Sequence, residues 1–135
     1  MIVVDANVIA YALIAGDHTA AALAVRRRDP AWAVPELWRH EFLSILVQYV
    51  RARGMAQAEA AALYERAEAL LMAAEQPVDF TAALALAVRY SLSAYDAQYL
   101  ALARVLGTRC VTGDTELWQK VPGLAVSMEA FAGGA

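Results

Sequence analysis

The chain has one cysteine, one lysine and two histidines in 135 residues. With Cys110 alone no internal disulfide can form, and the chain suits a reducing, cytoplasmic setting. A lone thiol of this kind reads as core filler rather than as a nucleophile. His18 and His40 do not have the spacing of a zinc pair and read as solvent-facing. No apolar run approaches the roughly 18 residues of a membrane span. No basic stretch precedes the first strand pattern, so no signal peptide is expected. The formal net charge of −3 gives no general attraction to nucleic acid. Any site for a polyanion would have to be local, built from arginines or a metal.

What is abundant is alanine and other apolar residues, 61% of the chain, which favours helix. The length suits a single domain over residues 1–135, with the glycine-bearing tail 127–135 expected to fray. Short, continuously apolar strand patterns fall at residues 2–4, 32–34, 109–111 and 124–126, with a further short strand at 77–79. Helix patterns lie between them: 7–15, a helix capped by Asp17 and broken at Asp29-Pro30, 35–53 with Pro35 in its first turn, 56–74, 81–90, 93–106 and 115–120. Gly54 and Gly107 stop two of these. Buried strands alternating with helices predict an α/β fold with a short, mostly parallel central sheet covered on both sides. Ligands in such folds bind beyond the carboxyl ends of the strands.

Four acids stand out against this pattern. Asp5 follows Ile2-Val3-Val4, and Asp114 follows Cys110-Val111-Thr112-Gly113. Each stands just past a strand and just before a helix, so each reads either as an N-cap or as a ligand on one sheet edge. Taken alone, Asp114 reads rather as a cap. Asp96 follows Ser93-Ala94-Tyr95, a capping-box position, yet it heads a stripe with Tyr99, Leu100 and Ala103 that should be buried. Glu41 lies on the oily side of PELWRHEFLSIL and is too far into that helix to cap it. Its i−4 and i+4 neighbours, Leu37 and Ile45, carry no charge. Gathered carboxylates repel unless protons or cations compensate. A divalent metal, and with it phosphate chemistry, is the economical reason to gather them. An all-oxygen set suits Mg²⁺ or Mn²⁺ over Zn²⁺. Arg26-Arg27-Arg28 reads first as a solvated helix end and second as an RNA-backbone contact.

Taken in order, VVDANVIAY, PELWRHEFLSIL, LSAYDAQYLALARVLGT and VTGDTELW resemble the PIN domain, in particular the small VapC-type ribonuclease toxins of toxin–antitoxin pairs. The resemblance runs from Ile2 to about Val126. It implies a three-layer α/β/α sandwich and a metal-dependent ribonuclease whose acidic ligands fall on Asp5, Glu41, Asp96 and Asp114. Asn7 and Thr112 match the supporting polar positions. It further implies an RNA substrate, a small antitoxin partner and a homodimer.

Two other functions compete. An acid after the first strand also serves as nucleophile in haloacid-dehalogenase-like phosphatases. Those usually show Asp-x-Asp, where this chain has Asn7, and they need a lysine, where this chain has only Lys120. A non-catalytic binding module, with the acids acting as caps, is the other.

Overall fold

The computed structural model describes the whole chain, Met1–Ala135. Five strands, β1 (Ile2–Val4), β2 (Trp32–Pro35), β3 (Glu75–Gln76), β4 (Cys110–Thr112) and β5 (Ala125–Ser127), form one sheet in the order β3-β2-β1-β4-β5. Every neighbouring pair is parallel. The helices are α1 (Ala6–Leu13), α2 (Thr19–Arg28), α3 (Trp38–Arg53), α4 (Gln57–Leu71), α5 (Phe80–Tyr90), α6 (Ala94–Val105), α7 (Thr115–Lys120) and α8 (Met128–Ala132). No helix is long and apolar enough to cross a membrane.

The side-chain alternation of the strands divides the core in two. Ile2, Val4, Trp32, Val34, Val111 and Val126 pack under α1, α2, α3, α4 and α8. Val3, Ala33, Cys110 and Ala125 pack under α5, α6 and α7. Because both faces are covered, the inner strands β2, β1 and β4 are apolar at nearly every position, as a parallel sheet requires. Cys110 is fully buried, and burial lifts its thiol well above the ordinary range, which makes it an inert core residue.

Four sequence expectations need correction. Pro35 does not open a helix; it ends β2, paired with Gln76, and α3 begins at Trp38. The short strand lies at Glu75–Gln76, before Pro77-Val78-Asp79, and Asp79 caps α5 instead. Asp17 caps nothing, and α2 starts after His18 with no side-chain cap. The tail carries a packed helix. Ser127 accepts the Ala130 N–H at 3.0 Å and starts α8, which buries Met128 and Phe131. Arg28, at the end of α2, donates to the Phe131 and Ala135 carbonyls and lies over the Phe131 ring. Arg26 lies over Trp32 in the same way. Two of the three arginines in the basic run therefore hold the fold together.

Candidate metal centre

From β1 the chain winds through α1 and α2 to β2 on one side, while β4 lies on the other side of β1 and continues to β5. This reversal opens a crevice beyond the carboxyl ends of β1 and β4. Asp5 and the Thr112-Gly113-Asp114 turn meet there. Asp5 Oδ1 accepts the Val8 N–H at 3.1 Å and so caps α1. Its Oδ2 accepts the hydroxyl of Thr112, a fully buried residue at the end of β4. Asp5 is therefore a cap through one oxygen and an anchored carboxylate through the other. Thr112 Oγ1 in turn accepts the Asp114 N–H at 3.0 Å, so one hydroxyl ties both acidic turns together. Gly113 allows the turn to close: a Cβ there would stand 2.9 Å from Cε2 of Tyr11.

Glu41 and Asp96 reach the crevice from opposite helix layers. Glu41 sits in the first turn of α3, half-buried, and Tyr99 Oη of α6 donates to its Oε1 at 2.7 Å. That bond crosses the top of the sheet and joins the two layers. Asp96 lies in the first turn of α6, but Ser93 is the cap there, its Oγ accepting the Asp96 N–H at 3.0 Å. The Asp96 carboxylate is left half-buried and faces Asp114. Asp5, Asn7, Glu41 and Asp96 line one cavity of about 250 Å³, together with Ser44 and Gln48. Asp114 caps α7 by accepting the Glu116 N–H at 3.0 Å. It lines an adjoining cavity that Asp96 shares, along with Glu116 and Lys120. Three of the four expected acids and Asn7 thus come together. The fourth is next door, linked through Asp96 and through Thr112.

The crowding shows in the acidities. Burial pushes Asp5 from 3.8 up to about 6; the bonds from Thr112 and Val8 pull it back in part, and the charges of Asp96 and Glu41 push it further up. Burial also raises Glu41, against the Tyr99 bond and with the Asp96 charge. Asp96 is raised by burial and then by Asp114, with Ser93 and Lys120 easing it. A cation at the crevice would offset the mutual repulsion of these carboxylates and favour their charged forms against the cost of burial.

The donor set fits a hard cation. All the ligating atoms on offer are oxygens, and the cavity is polar. No three of the carboxylates are gathered closely enough to enclose a bare ion. Mg²⁺ keeps several of its waters and takes only one or two carboxylates directly, so spaced acids suit it better than a tight cage.

The sequence pattern puts Tyr99 on the buried stripe of α6 and does not show its bond to Glu41. A buried tyrosine needs a partner for its hydroxyl, and Glu41 was a buried acid with no partner in its own helix. Two unmatched groups on separate helices were the available signal. Tyr99→Phe keeps the ring and removes the donor. It is expected to cost about 1–3 kcal/mol in chemical unfolding and to weaken divalent-ion binding by about tenfold or more. Parent-like stability and ion affinity in that variant would show that the bond does not position Glu41.

Parallel α/β sheets with a crevice at the strand switch form a class of folds that bind ligands beyond the carboxyl ends of their strands. Within that class the PIN domain family model matches residues 2–124, and the chain belongs to that family. PIN domains are generally metal-dependent nucleases. In fold the chain is similar to the crystal structure of PAE2754 from Pyrobaculum aerophilum, with a TM-score of 0.70 at 24% identity over 96% of this chain and 92% of that one. No curated protein matches the chain in sequence.

Proposed function

We propose that this chain is a Mg²⁺- or Mn²⁺-dependent endoribonuclease that hydrolyses RNA phosphodiester bonds, and that it is the toxin of a toxin–antitoxin pair. The observation that carries the reading is the shared cavity of Asp5, Glu41, Asp96 and Asn7 at the switch point of the sheet. Bound there, a divalent ion would offset the charge of the scissile phosphate and make an attacking water more acidic. Asp5 and Asp96 are the residues that would hold it. Thr112 and the α1 N-terminus fix the Asp5 carboxylate, and Tyr99 fixes Glu41, so both keep their orientation without the ion. Glu41 is placed to accept a proton or a hydrogen bond from water in the cavity. Asn7, exposed at the rim, offers a neutral donor to a phosphate oxygen. Asp114 completes the acidic set from the adjoining cavity.

The partners implied are a small antitoxin and a second copy of the chain. The apolar groove of Leu43, Val47 and Val50 against α4 supports a protein partner. The phosphatase alternative has lost its support: Lys120 pairs with Glu116 at 3.2 Å and does not line the Asp5 cavity.

Asp96→Ser separates ligand from cap, because Ser93 already caps α6. Cleavage of a single-stranded RNA with Mg²⁺ is expected to fall by about a hundredfold or more with the helical signal unchanged. Parent-rate cleavage by Asp96→Ser would remove Asp96 from the metal site, and a parent chain that shows no Mg²⁺-dependent cleavage would favour the non-catalytic module. Growth arrest on expression, relieved by a gene immediately upstream, tests the toxin role.

A further inference from the structure

We infer that the cavity beyond the ends of β2 and β3 is a nucleobase subsite, seating one unpaired base of the RNA, guanine in preference, beside the bond that is cut. The inference rests on the nuclease reading for its substrate, while its geometry stands apart from the acids.

The cavity, about 650 Å³, opens just past the last paired residues of β2 and β3, Pro35 and Gln76. Glu36, His40, Gln76, Phe80 and Gln98 line it. It lies on the same sheet edge as Asp5, one to two strands away, a separation of about 5–10 Å. A nucleotide next to the cleaved bond spans that distance. The same two helices serve both places: His40 precedes Glu41 on α3, and Gln98 follows Asp96 by two residues on α6.

The lining is chemically suited to a base and unsuited to a phosphate. Phe80 is 71% exposed at the start of α5, a large ring left in water. Such a ring is a stacking platform, worth about 1–3 kcal/mol per base. Glu36, His40, Gln76 and Gln98 take no part in the side-chain hydrogen bonds or ion pairs of the fold. Glu75, by contrast, is taken by Trp38 and Arg39. No lysine or arginine lines the cavity. With Glu36 unpaired and no lysine or arginine in the lining, a phosphate would be repelled and a neutral base accepted. The Glu36 carboxylate presents two acceptors in one plane. Only guanine offers two adjacent donors on its Watson–Crick edge to match them; the other bases pair each donor with an acceptor.

Phe80 also begins an exposed stripe with Leu84 and Val88, so a protein could cover it instead. Titrating the labelled, metal-free chain with guanosine, adenosine and cytidine, followed by NMR, decides between them. Nucleosides carry no phosphate, so the acidic crevice does not enter. Guanosine is expected to shift Gln76, Phe80 and Gln98 and to bind more tightly than the others. Phe80→Ala and Glu36→Gln should each weaken it by about tenfold. The inference is overturned if guanosine leaves those residues unmoved. It is overturned equally if both variants bind as the parent does, or if Phe80→Ala changes only the sedimentation coefficient. Guanosine binding without Mg²⁺-dependent RNA cleavage would keep the base site and remove the nuclease reading.

Discussion

Replacing Asp5 with asparagine is expected to abolish Mg²⁺-dependent RNA cleavage and, in metal-free buffer at pH 7, to raise the melting temperature by about 5–10 °C. The two effects have one cause. Asp5 is 8% exposed and sits beside two other acids, so its carboxyl is held at about 6 against 3.8 for an ordinary aspartate. An acid raised on folding binds more protons in the folded chain than in the unfolded one between those values. The contribution of Asp5 to stability is therefore full at and below about pH 4, falls as the pH climbs through 6, and is level above that. At pH 7 the charged Asp5 costs roughly 3 kcal/mol. Asparagine removes the charge and keeps the shape. Its oxygen can still accept the Val8 N–H, and its amide can donate to Thr112 Oγ1. The gain should shrink to nothing near pH 4, and melting curves at pH 4 and pH 7 read it directly. A variant less stable than the parent at pH 7 would mean that Asp5 serves the fold more than it strains it.

Adding Mg²⁺ or Mn²⁺ is expected to stabilise the parent by about 2.7 kcal/mol at a hundredfold excess over Kd, or about 8 °C in Tm. The ion needs deprotonated ligands, and Asp5, Glu41 and Asp96 are all harder to ionise than ordinary acids. Binding should then release protons near pH 6 and weaken steeply below it. Titration calorimetry in two buffers of different ionisation enthalpy measures that release. The Asp5→Asn protein should show little of either effect. A parent that melts at one temperature with and without the ion would leave the acids without their compensating charge.

Much of this was legible in the sequence because Glu41 and Asp96 head or join apolar stripes, and Asp5 and Asp114 both stand at strand ends. Glu41 on an oily stripe and Asp96 behind a serine cap are costly residues, and cost is visible in a pattern. Asp5 and Asp114 were legible as strand-end acids, and the structure shows both of them capping helices as well. Partners fixed by tertiary packing were not legible. Tyr99 meets Glu41 from 58 residues away, and Tyr11 closes against Gly113 from another layer. The same holds for two elements of the fold. Glu75-Gln76 has poor strand propensity and becomes a strand because it pairs with Val34 and Pro35, while Trp38 and Arg39 hold its carboxylate. The five-residue α8 is too short to announce itself by periodicity. It forms because Phe131 and Met128 are buried and Arg28 holds its end.

The central claim is that Asp5, Glu41 and Asp96 serve one hard cation. Crystals of the parent soaked in Mn²⁺ and measured at the manganese edge test it most directly. The account predicts an anomalous peak within the cavity bounded by those three carboxylates and Asn7, absent from Asp5→Asn crystals treated in the same way. Peaks confined to scattered surface acids at saturating Mn²⁺, with that cavity blank, would contradict it.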